Sequence, residues 1–268
     1  MNAFVEKTLR SFESAAEYAA SAELLASGRG WLQHVDPRVK VAGLFGLVIV
    51  VAAAGQLRAI AAIFGIALLL AIGSRIPLAK LAGWIWIPVL FFTGLIALPA
   101  IFVTPGNAVL TAGGFAITRQ GLRAAAFLLS RAGTAATLSA LLVLTTSWPR
   151  VLRALRSFRV PLVAVVILGM TYRYIFVILR TAVEMLESRK SRTVGHLEPA
   201  DRRRLAAASA GVLLSKSLQL SGDVHLAMLS RGFRGEVYSL DDFQARAVDW
   251  CWLAGFAALA FAMLWWQH

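Results

Sequence analysis

The side chains best equipped for chemistry in this sequence lie in two similar runs, Glu187-Ser188-Arg189-Lys190-Ser191-Arg192 and Leu229-Ser230-Arg231-Gly232-Phe233-Arg234-Gly235. In each, a Ser-Arg pair closes a long stretch of helical periodicity, where the chain must emerge into water. A guanidinium stays charged and presents a planar fork of donors that matches a carboxylate or a cluster of carbonyls. Two such tips side by side would make a two-pronged plug for an acidic groove on another protein. A plainer reading stands beside it: cations favour helix C-termini and membrane borders without any partner.

Other chemistry is thinly supplied. A nucleotide-binding Gly-x-x-x-x-Gly-Lys-Ser/Thr loop is absent from the sequence, and Thr111-Ala112-Gly113-Gly114 has too few features for a phosphate cradle. His34, His196, His225 and His268 are scattered without metal-ligand spacing and read as structural or solvated. Asp241-Asp242 reads as a charge pair at a helix N-terminus. Cys251, the single cysteine, cannot form an internal disulfide.

The elements that must position the two tips are mostly apolar. The 268 residues are 59% hydrophobic and 15% charged, against about a quarter charged for a soluble domain. The excess is blocked: Val39 to Gly55, Ala59 to Gly73, Trp84 to Val103, Ala124 to Trp148 and Ala247 to His268 each hold at most one charge. A span needs ~20 predominantly apolar residues. The expected fold is all-α and polytopic, with about five transmembrane helices. Residues 1–35 lack the apolar core of a cleavable signal. They read as an amphipathic helix: Phe4, Val5, Leu9, Phe12, Ala16 and Ala19 recur at helical spacing between Glu6, Lys7, Arg10, Glu13 and Glu17.

The net charge of +13 is concentrated between Arg150 and Arg246. Cytoplasmic segments are enriched in Lys and Arg, so this region, the N-terminus and the Arg75 to Lys80 loop are expected inside. The Gly-rich loop Thr104 to Arg123 and His268 are expected outside. A nucleic-acid role is disfavoured, because the cations interleave with long apolar runs and no binding motif accompanies them.

Within the basic region, Ser147-Trp148-Pro149 reads as a helix start. Arg150, Arg153 and Arg156 then fall on one face and Val151, Leu152 and Leu155 on the other. Pro161 breaks or restarts the helix. One long helix is expected from Pro161 to about Thr193, and a second from about Pro199 to Ser230 with Gly232 as its cap. Each would be ~50 Å long at about 1.5 Å per residue. Val160 to Leu179 is apolar enough for a sixth span. Arg173 inside it, and the unbroken continuation to Arg180, count against that. The expected organisation is thus an N-terminal helix (1–35), four spans (36–146), a cytoplasmic region with two long helices (147–246) and a last span (247–268).

Three motifs carry a family resemblance: Asp36-Pro37-Arg38-Val39-Lys40, Met170-Thr171-Tyr172-Arg173-Tyr174-Ile175-Phe176, and Ala227-Met228-Leu229-Ser230-Arg231-Gly232-Phe233-Arg234-Gly235. Their order and spacing resemble the transmembrane (T) component of energy-coupling factor (ECF) transporters, in its cobalt/nickel CbiQ-like branch, from about residue 30 onward. The resemblance implies a non-catalytic subunit, without cofactor or metal of its own. It would couple two cytoplasmic ATP-binding-cassette subunits to a small substrate-binding membrane subunit, through helix tips carrying Ala-Arg-Gly-type motifs. By the resemblance Ser230, Arg231 and Gly232 form the second motif, and Ser188, Arg189 and Lys190 the first. Ser191-Arg192-Thr193 is a rival register for the first. A vitamin importer of the same class, or a membrane scaffold unrelated to transport, are the other readings.

Overall fold

The computed structural model describes residues 30–103, 108–112, 115–192, 198–233 and 247–265, with residues 10, 14, 17, 21 and 23–28. Most of the expected N-terminal helix lies outside the described residues, as do His196, Arg234, Gly235, Asp241, Asp242 and His268. The chain forms two compact units, residues 22–154 with 243–268, and residues 1–21 with 155–242.

The first unit holds helices α1 (Pro37–Ala53), α2 (Leu57–Gly73), α3 (Ile87–Val103), α4 (Arg119–Thr145) and, after the second unit, α8 (Ala247–Trp265). A single helical turn, Leu78–Leu81, and a π-helical turn, Ala82–Trp86, lead into α3. Capping explains where α1 and α4 begin. The Asp36 carboxylate accepts the Arg38 N–H at 2.7 Å, and Pro37, which has no N–H to lose, opens the helix. The Thr118 hydroxyl accepts the Gly121 N–H at 3.1 Å, so α4 starts at Arg119, ahead of the apolar run beginning at Ala124. The expected loop before it contains a hairpin, β1 (Ala108–Ala112) antiparallel to β2 (Phe115–Thr118), with Ala112 opposite Phe115. The rest of the described fold is helical.

Burial divides each helix into two apolar faces. Leu44, Leu47 and Val51 of α1, Ala59 and Ile63 of α2, and Leu138 and Leu141 of α4 are buried together. Phe45, Ile49, Leu69, Phe91, Phe92, Ile96 and Phe261 are as large and apolar, yet exposed. A water-facing helix puts polar residues on its outer side. Apolar residues on both sides, with backbone groups satisfied inside each helix, fit hydrocarbon. The protein is a polytopic helical membrane protein.

The second unit is built on α6 (Leu162–Arg192) and α7 (Pro199–Ser230), entered through α5 (Trp148–Ser157), whose residues from Leu155 belong to it. α5 closes with Arg159 in the left-handed region (φ 63). Pro161 then starts α6, its carbonyl accepting the N–H groups of Ala164 and Val165. α6 runs unbroken past Arg173, as the continuous pattern anticipated. Arg119–Thr145 and Leu162–Arg189 are both long and apolar enough to cross a membrane by length and composition.

Close packing in the first unit is set by a glycine. A Cβ on Gly43 of α1 would fall 2.3 Å from the Phe256 ring of α8. Gly43→Val should therefore force the two helices apart and cost about 1–3 kcal/mol. Thermal unfolding of the detergent-purified protein measures this, and Phe256→Ala in the same chain should recover part of the loss.

Candidate coupling site

The two long helices run antiparallel. Leu186 and Val183 near the end of α6 pack with Leu205 near the start of α7. At the other end, Val163, Ile167 and Met170 of α6 face Val224, Met228 and Phe233 across a groove of about 650 Å³. Its walls are apolar apart from Thr171, Tyr174, Ser217, Ser221 and His225. Arg189 and Arg231 therefore stand at opposite ends of the pair. From Leu205, opposite Leu186, to Arg231 the helix advances about 40 Å at 1.5 Å per residue. The side-by-side plug is corrected: antiparallel helices cannot bring both C-termini together.

The α7 tip is closed by a Schellman motif. The Gly232 N–H donates to the Leu229 carbonyl at 2.9 Å and the Phe233 N–H to the Met228 carbonyl at 3.0 Å. Gly232 has φ +80, which a residue with a Cβ rarely adopts. The turn folds Phe233 back beside Met228 on the groove wall and leaves Ser230, Arg231 and Gly232 exposed. The Ser230 hydroxyl donates to the Ala227 carbonyl at 2.9 Å.

The α6 tip differs. Ser188, Arg189 and Lys190 all lie within the helix, which continues to Arg192. Arg189 is half-buried, whereas Arg231 is exposed and caps its helix. The counterpart of Ser230-Arg231 in position is Ser191-Arg192: the Ser191 hydroxyl donates three residues back, to the Ser188 carbonyl at 2.8 Å, and Arg192 is the last helical residue.

A second polar constellation was not anticipated. Lys40, which in sequence only marks the edge of an apolar run, is completely buried, and its Nζ donates to the Thr145 carbonyl at the end of α4 at 3.0 Å. The carboxylate of Asp249, also buried, accepts the Asp36 N–H at 2.8 Å. The segment before α1 holds the end of α2: Trp31 N–H donates to the Gly73 carbonyl at 3.2 Å, and Gln33 Nε2 to the Ser74 carbonyl at 3.1 Å. The start of α1, the ends of α2 and α4 and the start of α8 thus meet at one edge of the unit. Arg131 lies mid-way along α4; it donates to the Ala54 carbonyl beyond the end of α1 at 2.6 Å and covers the Phe127 ring at 4.6 Å. Among the described residues no three His, Cys, Asp or Glu side chains gather as a metal site would require.

Comparison with known proteins decides the family. The family model described as "CbiQ: Cobalt transport protein" matches residues 28–240. The chain belongs to the CbiQ family. An uncharacterized protein of Methanocaldococcus jannaschii is 33% identical over 213 residues, covering 78% of this chain and 73% of its own. The cobalt transport protein CbiQ of Rhodobacter capsulatus is 31% identical over 158 residues, 56% of this chain and 63% of its own. The energy-coupling factor transporter transmembrane protein EcfT of Brevibacillus brevis is 26% identical over 261 residues, 90% and 95% of the two chains. This CbiQ-family chain is accordingly an ECF T component, and a non-catalytic transmembrane subunit.

For a CbiQ-family chain the Asp36-Pro37-Arg38-Val39-Lys40 motif now has a physical role. Asp36 caps α1 and its N–H engages α8, while Lys40 engages α4. Lys40→Met keeps the volume but leaves the Thr145 carbonyl without its donor, which should cost about 1–3 kcal/mol. Asp249→Asn keeps an acceptor oxygen for Asp36 and should cost clearly less than Asp249→Leu. Unfolding midpoints of the three variants in one detergent check this order; equal midpoints for Asn and Leu would remove the Asp249 bond from the account.

Proposed function

We propose that this chain is the energy-coupling membrane subunit of an importer for cobalt or nickel ions. Two cytoplasmic ABC-type ATPases supply the movement. A separate metal-type substrate-binding membrane subunit, with or without a small accessory membrane subunit, receives it. The chain itself holds no substrate. The N-terminus and the region of α5 to α7 face the cytoplasm of a multi-pass inner-membrane protein, in keeping with the cations of residues 150–246.

The observation that carries this reading is the pair of Ser-Arg helix ends at opposite ends of an antiparallel pair. Tips about 40 Å apart by helix rise suit two separate ATPases better than one acidic groove. In this reading each tip docks on one ATPase, and the rigid helices between them convert nucleotide-driven movement of the ATPases into displacement of the substrate-binding subunit. Ser230, Arg231 and Gly232 form one tip. Ser188, Arg189 and Lys190 form the other, with Arg192 as the competing arginine on geometric grounds. The metal assignment leans on the family model's description and the name of the Rhodobacter capsulatus relative. A vitamin-type T component is the second reading, since the Brevibacillus brevis relative, aligned over 95% of its length, carries a general energy-coupling factor name that specifies no metal.

Tagged purification from its own cell membrane in mild detergent should bring down ATPase subunits and a small membrane subunit, and the latter's identity separates metal from vitamin. Arg189→Ala with Arg231→Ala should abolish ATP-driven uptake while membrane insertion persists, because exposed or half-exposed tip charges leave and no core packing does. Full uptake by that double variant would sink the tip model. Arg192→Ala with Arg231→Ala, run in parallel, decides the first register by which pair loses more uptake. Arg231→Ala should weaken ATPase co-purification more than Arg234→Ala.

A further inference from the structure

The groove between α6 and α7 is apolar along its length and open. Val163, Ile167 and Ile175 on its α6 wall are exposed. In the cytoplasmic orientation proposed above, on which this inference rests, the groove faces water. A contiguous apolar surface in water marks a binding site, and an amphipathic helix laid into such a groove is a recurring way to fill it. The wall from Val163 to Ile178 runs about 22 Å by helix rise.

The same compact unit includes residues 1–21. Their sequence places Val5, Leu9, Phe12, Ala16 and Ala19 along one helical stripe, and Glu6, Arg10, Glu13 and Glu17 along the opposite one. From Val5 to Ala19 a helical stripe would run about 21 Å by the same rise, the length of the groove wall. Arg10, Ser14, Glu17 and Ser21 are described, and all four are helical. Arg10 and Glu17 are exposed, while Ser14 and Ser21, turned away from Glu17 around the helix, are half-buried. The charged stripe is therefore the outward one. A bilayer surface is the weaker match. Helices that lie on membranes carry Lys and Arg on the polar face, and this face carries Glu6, Glu13 and Glu17 beside Arg10. Residues 155–242 hold thirteen Lys and Arg against eight Asp and Glu over their whole sequence, so an acidic polar face suits this unit better than an anionic leaflet.

We propose that residues 1–21 are a cover for the groove between α6 and α7, with Leu9 and Phe12 seated between Met170 on one wall and Val224 and Met228 on the other. The cover shields the groove of the free subunit and competes with any partner helix that enters it. Because the segment is tethered, its effective concentration at the groove is high.

The test is disulfide trapping in the full-length chain, with Cys251→Ser removing its exposed native thiol. Phe12→Cys is paired in turn with Met170→Cys, Ser221→Cys and Met228→Cys and oxidised in detergent. At least one pair should close within the monomer roughly ten-fold faster than Arg10→Cys with the same partners, the gain expected of a docked segment. Phe12→Cys with Leu226→Cys, an exposed position of α7 outside the groove, should stay slow. Equal rates for all pairs would overturn the proposal. Disulfides between two copies would assign the groove to a second chain and overturn it as well. A second readout is the reaction of Ser221→Cys with a charged maleimide in inverted membrane vesicles. Leu9→Glu with Phe12→Glu should raise that rate several-fold and leave the rate of Leu226→Cys unchanged; no rise at Ser221→Cys would count against the cover. If the Glu pair failed to insert, Leu9→Ala with Phe12→Ala takes its place with a smaller rise, and the trapping needs neither. Phe12→Cys that resists the maleimide without trapping to any groove position would assign the segment to the bilayer surface and overturn the proposal. Failure of Leu226→Cys to react in vesicles of either sidedness would sink the orientation itself, whereas normal reaction without trapping would sink the cover alone.

Discussion

One buried ammonium organises the membrane unit. Removing Lys40 from water costs several kcal/mol, and the protein recovers this by pointing Nζ at the Thr145 carbonyl, one of the orphan carbonyls at the end of α4. A helix C-terminus carries partial negative charge, so the pairing satisfies both members. The bond also fixes where α4 stops relative to α1. Asp36 and Asp249 add the start of α8, and Trp31 and Gln33 add the end of α2. Lipid-facing helices have little hydrophobic reason to choose one neighbour over another. Polar bonds at their ends, and a glycine that admits Phe256, supply the selection.

The second unit follows a different rule. Among the described residues its buried apolar cluster is small, Leu186 and Val183 with Leu205, and an open apolar groove runs towards the α7 tip. Its helices are long and stiff, and their apolar surfaces are widely exposed, including Ile167, Ile175, Val212 and Leu218. An ECF T component must meet other subunits, and exposed apolar surface on paired rods is what such contacts require. α6 satisfies the length and composition of a span, and a helix that packs on another membrane protein and one that sits among lipids need the same side chains.

Local chemistry was legible in the sequence; pairing was not. Pro161 and Pro199 mark helix starts within a residue or two, and Gly232 marks a C-cap, because each acts on its own backbone. Thr118 escaped notice because Arg119 and Arg123 looked like loop residues until its cap drew them into α4. The hairpin before it was hidden by a Gly-rich run. Lys40 stands in sequence as a lone charge at the edge of an apolar run, and nothing there shows that residue 145 will offer it a carbonyl 105 residues away. The likeness of the two Ser-Arg endings suggested adjacent tips. Helices joined by a short connection return antiparallel, which separates like ends, and the structure followed that geometry. The register at the first tip also turns on length: α6 runs to Arg192, three residues beyond Arg189.

The bond between Asp36 and Asp249 joins residues 213 positions apart. A ribosome delivers α1 to the membrane long before α8 exists. Until α8 arrives, the cleft at Gly43 has no ring to fill it, and the Asp36 N–H lacks its acceptor. The first helix must therefore wait, unlatched, through the synthesis of both long helices, and the edge closes only once α8 has been made. Assembly with other subunits can then be timed by the chain itself, since the edge from which α5 departs is completed only after both long helices.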